Sequence, residues 1–317
     1  IGPFWAGDGS GVALADGKLY VSLSNDNKII VFNTLPTRES ADPDFAIGAP
    51  DFTTNTLRTN YFMTNPVPLT DGKSLLVYSN FDHVMYVWRQ IPDQSGAKPD
   101  FVYEFSPPIQ HAAIVQGSLV ADNGQSMFVW KKLPLNGEKP DVTFQRNIDE
   151  IKISKITCMA GDNTSFYLLT QDNTMSVWKE VPMQDTPAQV TVNMVMDGGG
   201  EGATGKKGGG GCQSDGRYMV RSSTFEHTIY IHRIADLMAY PDNPPPPMKV
   251  GGKGGVFNLP SSAFVRDDHL FVADTVSSRV LVWNHIEDAV AGKEPDVVLG
   301  SENLAEKKPE IGKDALF

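Results

Sequence analysis

An all-β fold, a six-bladed β-propeller of four-stranded blades with its ring closed by the two termini, is what this sequence predicts, and three observations predict it. One pattern of three short apolar runs, each bounded by turn residues, recurs six times along the 317 residues. The middle run of each pattern closes on an aromatic (Phe32, Trp88, Trp130, Trp178 and Trp283, with His232 in the fifth copy), and these closing residues stand 42 to 56 residues apart from copy to copy. Periods of this size with several β-rich runs per copy signal a propeller rather than a helical solenoid. A further segment ahead of each pattern supplies a fourth, innermost strand.

In chain order, the innermost strands are expected at Gly11 to Ala15, Pro66 to Leu69, His111 to Val115, Ser154 to Met159, Gly211 to Gln213 and Ser262 to Val265. Leu19-Tyr20-Val21, Leu75-Leu76-Val77, Leu119-Val120, Phe166 to Leu169, Tyr218-Met219-Val220 and Leu270 to Ala273 read as second strands. The runs that close on the aromatics are third strands. Outer strands follow at Pro43 to Gly48, Pro99 to Val102, Pro140 to Phe144, Ala188 to Val192, Met248 to Val250 and Pro295 to Gly300. The tail Asp314 to Phe317 resembles Gly255-Val256-Phe257 and is expected to complete the first blade as an outer strand or entry segment, which would leave no sheet edge open for pairing. The whole chain, residues 1–317, is read as one propeller domain.

Composition narrows the function classes. A hydrophobic content of 40% with five Trp and sixteen Phe is enough for a core, and 29 Gly with 22 Pro suits a fold of many turns. No apolar run approaches the length of a membrane span. The net charge of −11, with Lys and Arg scattered in pairs such as Lys131-Lys132 and Lys206-Lys207, offers no basic face for a phosphate backbone, so nucleic acid is not an expected partner of this acidic chain. Cys158 lies 20 residues before Trp178 and Cys212 lies 20 before His232, so the two occupy equivalent inner-strand positions in adjacent blades. They read as two small buried apolar side chains; the sharper alternative is an inter-blade disulfide, which needs Cα atoms within roughly 7 Å.

Several local motifs read as structural. Gly200 to Lys206 matches a phosphate-binding loop until Lys207 replaces the Ser or Thr that would ligate magnesium, and no helix follows it, so this stretch is expected to be a connector between blades 4 and 5. Pro244 to Pro247 reads as a stiff spacer in blade 5, and Asn163-Thr164-Ser165 is a glycosylation sequon on a tight turn. Asp122 and Asp274, each following a second strand, are expected to accept N–H groups of the next turn.

The last copy carries a family likeness. Leu270 to Trp283 (LFVADTVSSRVLVW) followed by Pro295 to Gly300 closely resembles the NHL-type repeat of bacterial and archaeal six-bladed propellers, in which an Asp follows the second strand and an Arg opens the third. The likeness is strong in blades 1 and 6 and weak in blades 2 to 5; blade 1 has Leu23 and Lys28 at the Asp and Arg places. It implies a ring with a central channel that binds a protein, peptide or small ligand at one mouth. Some six-bladed relatives are instead enzymes: amidating lyases with a histidine-held channel metal, lactonases and strictosidine-synthase-like hydrolases. A channel metal needs several ligands converging on the axis. The inner-strand entries offer one histidine and no carboxylate: Ser10-Gly11, Asn65-Pro66, Gln110-His111, Ser154-Lys155, Gly209-Gly210 and Ser261-Ser262. There is no Gly-x-Ser-x-Gly elbow either.

The leading expectation is therefore a non-catalytic scaffold, extracellular or periplasmic, that binds a protein partner or complex subunit through a channel mouth built from Asn65, Gln110, His111, Lys155 and Ser261, with no metal and no cofactor. A small-molecule ligand at the mouth stays open. The alternatives are a channel-sited lyase or lactonase with a divalent metal, using loop carboxylates such as Asp8, Asp26 or Glu201, and a haem-free accessory subunit of an exported redox complex.

Overall fold

A computed structural model describes the chain except for residues 1–10, 24–26, 40, 55–62, 80, 195–210, 253, 302 and 306–317. Six four-stranded antiparallel sheets are arranged as a propeller. Blade 1 holds β1–β4 (Val12–Ala15, Lys18–Leu23, Lys28–Phe32, Phe45–Ile47). Blade 2 holds β5–β8 (Val67–Thr70, Leu75–Tyr78, Val84–Trp88, Phe101–Glu104). Blade 3 holds β9–β12 (His111–Val115, Ser118–Asp122, Ser126–Trp130, Val142–Gln145). A two-stranded ribbon, β13 (Asn147–Ile148) and β14 (Ile151–Lys152), leads into blade 4, β15–β18 (Ile156–Gly161, Phe166–Thr170, Thr174–Trp178, Val190–Asn193). Blade 5 holds β19–β22 (Cys212–Ser214, Tyr218–Ser223, Thr228–Arg233, Met248–Gly251) and blade 6 holds β23–β26 (Pro260–Arg266, His269–Asp274, Arg279–Trp283, Val297–Leu299). Two short helices, α1 (Ile234–Ala239) and α2 (Ile286–Val290), follow the third strands of blades 5 and 6.

The core is distributed as wedges between blades, because each sheet can bury its faces only against its neighbours. One buried cluster fills each junction, such as Tyr20, Val31, Phe45, Leu75 and Trp88 between blades 1 and 2. In blades 2, 3, 4 and 6 the tryptophan closing the third strand packs against the preceding blade. A buried Trp removes roughly 200 Å² of surface, worth roughly 5 kcal/mol before entropy is counted. Inner strands of successive blades touch around the ring, and β23 touches β1, so the blade nearest each terminus closes the circle. At the blade 3–blade 4 contact a Cβ on Gly161 would overlap Val115, so only glycine permits that approach.

A small repeated clasp explains the Pro-Asp dipeptides before the outer strands. Asp44, Asp100, Asp141 and Asp296 each donate their N–H to the third strand, to Val31, Val87, Val129 and Val282. Each carboxylate accepts the N–H just past that strand's end, from Asn33, Arg89, Lys131 and Asn284 at 2.7 to 2.9 Å. Gln189 does the same in blade 4 through Oε1. Proline sets the extended entry and the short acid fixes the register.

One strand boundary is corrected. The inner strand of blade 4 starts at Ile156, not Ser154, because the β13–β14 ribbon and a 3-10 turn over Ile153–Lys155 take up the preceding residues and bury Ile148 and Ile153. The outer strand of blade 1 is Phe45–Ile47, within the expected Pro43 to Gly48, and the tail Asp314 to Phe317 lies outside the described residues.

Candidate functional site

Inner-strand starts, second-to-third strand turns and blade-to-blade connections share one end of the ring, the entry mouth. All five sequence-selected residues are at this end, in different environments. His111 and Asn65 are buried (4% and 7% exposed), Gln110 and Ser261 are half-buried, and Lys155 is exposed. His111 Nδ1 lies 2.7 Å from Asp122 Oδ2, whose other oxygen accepts Gly124 N–H at 2.8 Å. Asp122 therefore holds both its own turn and the first residue of β9. Asn65 adopts a left-handed backbone (φ 51) before Pro66, and Gln110 Nε2 donates to Pro108 at 3.2 Å. Lys155 ends the 3-10 turn that the ribbon introduces. Ser261 is knitted into the rim: its carbonyl accepts Ser222 Oγ at 2.8 Å and its hydroxyl accepts Thr275 Oγ1. Phe52 and Phe81, 39% and 40% exposed, stand on the connection and turn above blades 1 and 2.

Two buried cations brace the rim. Arg279 is 2% exposed; its Nε donates to Asp274 Oδ2 at 2.9 Å, Nη1 to the Leu304 carbonyl at 2.7 Å and Nη2 to the Val256 carbonyl at 2.8 Å. Asp274 also accepts Asn258 N–H, which ties it to the entry segment, and contrary to expectation it does not cap the N-terminus of the turn after its strand. Lys28 at the same place in blade 1 is 1% exposed and donates to the carbonyls of Phe52 at 2.7 Å and Thr54 at 3.4 Å. The signal was in the sequence: a cation opening the third strand of both blades.

The channel is walled by inner-strand residues of all six blades, Val12, Leu69, Ile114, Met159 and Phe264 among them, with Thr70, Gln213 and Arg266 as its polar members and a free volume of about 110 Å³. At the opposite end the first-to-second strand turns carry Asp71, Asp162 and Asp215, whose carboxylates are occupied by N–H groups of their own turns. Among the described residues no three His, Cys, Asp or Glu side chains come together as metal ligands. Asp8, Asp26, Glu201 and the phosphate-loop match lie outside the described residues. No helix among the described residues is long and apolar enough to cross a membrane.

His232, in place of a tryptophan, is 3% exposed and its pKa is pushed down to about 4 by burial and then by nearby Arg221. The unfolded chain takes up this proton near pH 6.5 and the folded protein does not, so stability present above pH 6.5 is lost as pH falls towards 4. The loss at pH 4.5 relative to pH 7 is expected at about 2 to 3 kcal/mol for this group. Urea unfolding of His232→Gln at both pH values checks it: the variant should show a correspondingly smaller acid loss, and an equal loss would refute the assignment.

The fold and this geometry define a six-bladed propeller with a narrow apolar channel and a braced polar mouth. No protein-family model matches the chain, and no curated protein sequence matches it. Among solved structures it is similar to a glutaminyl cyclase from Myxococcus xanthus at 16% identity, over 60% of this chain and 69% of that one, with a TM-score of 0.38. It is similar to BamB from Moraxella catarrhalis at 10% identity, over 82% and 68%, TM-score 0.41. It is also similar to the WD40 β-propeller domain of Doa1 at 12% identity, over 88% and 80%, TM-score 0.48. Similarity at these levels concerns strand arrangement alone.

Proposed function

We propose that this chain is an NHL-type propeller, exported to an oxidising compartment, that works as a non-catalytic scaffold and binds a protein partner or complex subunit at its entry mouth. The observation that carries the reading is the contrast between mouth and channel. The channel is narrow and largely apolar, whereas the rim sets exposed Lys155 and half-buried Gln110 and Ser261 on a rigid frame, with exposed Phe52 and Phe81 on the same end of the ring. Exposed aromatics on a rigid surface that also carries polar groups are what protein interfaces use as anchors. Buried His111 and Asn65 shape the mouth from beneath. The Asp274–Arg279 pair supports the NHL assignment, since it joins the two residues by which that repeat is recognised. The Cys158–Cys212 bridge supports the compartment.

Native mass spectrometry of the protein isolated from its natural source, with metal analysis of the same sample, tests the reading. A stoichiometric heteromer is expected, and Lys155→Glu with Phe81→Asp should weaken it at least tenfold while the melting temperature stays within a few degrees. A lone monomer carrying one equivalent of calcium or zinc would overturn it.

A further inference from the structure

Among the described residues, four blades close the turn between their second and third strands on a left-handed residue: Asn27, Asn173, His227 and Ser278, with φ of 55, 63, 55 and 52. Each stands directly before its third strand. Three of the four are short polar side chains, and blade 5 sets an imidazole in the same place. The main chain of His227 is fixed on both sides. Its N–H donates to the Thr224 carbonyl at 3.2 Å, closing the 3-10 turn Thr224–Glu226, and its carbonyl accepts Gly252 N–H at 2.7 Å from just past β22. The half-buried ring thereby reaches blade 6, where Nδ1 accepts the main-chain N–H of Leu259 at 3.2 Å.

Leu259 is itself left-handed (φ 61) directly before Pro260, a backbone that a bulky side chain and a following proline both disfavour. Blade 2 uses an asparagine for its own left-handed residue before a proline, Asn65 before Pro66. Three side chains hold the segment around Leu259: Arg279 donates to the Val256 carbonyl, Asp274 accepts Asn258 N–H and His227 accepts Leu259 N–H. A guanidinium keeps its donors at any working pH, and a carboxyl group keeps acceptor capacity even when protonated. An imidazole nitrogen that gains a proton stops accepting. Residues 256–262 carry no titratable side chain. Among the described residues, the charged groups on the elements around the ring are engaged elsewhere. Glu226, on the same turn, accepts the Ser223 and Tyr230 hydroxyls at 2.8 and 2.7 Å and acts on buried Arg221 of β20. Lys249 of β22 lies over the Tyr230 ring, and Asp274 of β24 is enclosed with Arg279.

We propose that His227 is an acid-released latch between blades 5 and 6: neutral, it pins Leu259 in its left-handed conformation; protonated, it turns an N–H towards the N–H of Leu259 and frees the segment. Imidazoles change charge between about pH 5 and 8, and the cation is a donor at both ring nitrogens. Two donors then face each other, and the half-buried N–H of Leu259 loses its acceptor. With that tie gone, the strained backbone relaxes. The loosening falls at the entry mouth, because Ser261 follows two residues later and knits Ser222 and Thr275 into the rim. One sector of the mouth is closed at neutral pH and loose in acid.

Amide hydrogen exchange of the full chain, read residue by residue by NMR and corrected for intrinsic rates, tests the latch. Between about pH 7.5 and about pH 5.5 the protection of Leu259 should fall about tenfold, the equivalent of one hydrogen bond, while amides of β10 and β11 in blade 3 change far less. His227→Asn places in blade 5 the residue that blades 1 and 4 carry there, so it should fold, and its Leu259 protection should be the same at both pH values. His232→Gln should leave the fall at Leu259 intact, which separates the latch from the buried histidine of the same blade. The ring nitrogen shifts of His227 at about pH 7.5 should show the tautomer with hydrogen on Nε2. Unchanged Leu259 protection in the native protein, an equal fall in His227→Asn, loss of the fall in His232→Gln, or a neutral ring with hydrogen on Nδ1 would each overturn the proposal.

Discussion

Replacing Arg279 by Ala is expected to destabilise the propeller by about 3 to 5 kcal/mol, the cost of stranding one member of a buried ion pair. The guanidinium is fully enclosed and spends three donors on three different segments: Asp274 at the end of β24, Val256 in the entry segment and Leu304 beyond the outer strand. Its removal leaves a 0%-exposed carboxylate and two carbonyls without their donors. Arg279→Lys should recover only part of the loss, since an ammonium cannot reproduce a planar fork that reaches three directions. Arg279→Met combined with Asp274→Leu should cost less than Arg279→Ala alone, because the pair leaves together. Urea midpoints at constant slope measure all three. A loss below about 1 kcal/mol for Arg279→Ala would mean that the rim is held by its backbone alone.

The same residue shows why parts of this molecule were legible in its sequence and others were not. Strand positions were readable because each blade repeats one local problem. An aromatic must close the third strand and an Asp must clasp the outer one, so Trp130 and Asp141 announce their strands without reference to the rest of the chain. Errors fell where a blade departs from the rule. Among the described residues the β13–β14 ribbon has no counterpart elsewhere, and with the 3-10 turn after it takes up the chain through Lys155, so blade 4 begins at Ile156 and not at the expected Ser154. Helix α1 begins directly after β21, with no side-chain cap to mark the change.

The candidate site was legible as a location but not as chemistry. All five selected residues fall at the entry mouth because that end follows from strand direction. Which of them face solvent depends on side-chain pairings between strands. His111 looks available in the sequence, yet Asp122, eleven residues away, draws its ring into the wall. The cations at Lys28 and Arg279 were visible as a pattern, but their acceptors are carbonyls, and any residue can supply a carbonyl.

Loss of the Cys158–Cys212 bridge should have its largest effect at one junction. The sequence reading favoured two small buried side chains; the structure buries both and also joins their sulfurs, with Cα atoms 5.9 Å apart across β15 and β19. The bridge spans 54 residues, for which loop closure predicts about 4 kcal/mol of stabilisation as an upper figure. Its position follows the aromatic pattern. Tryptophans fill the junctions entering blades 2, 3, 4 and 6, and Phe32 fills the one entering blade 1, so the junction entering blade 5, where His232 stands, is the one without an aromatic at that place. The covalent link sits at that junction. Cys158→Ala with Cys212→Ala is therefore expected to cost about 2 to 4 kcal/mol, with hydrogen exchange accelerating most in β18, β19 and α1. Adding His232→Trp should return part of the loss by restoring the aromatic. Thiol titration of the unfolded, non-reduced protein should find no free thiol. Two free thiols, or an exchange increase spread evenly over all six blades, would show that the junction is held by packing and that the bridge has no particular place in it.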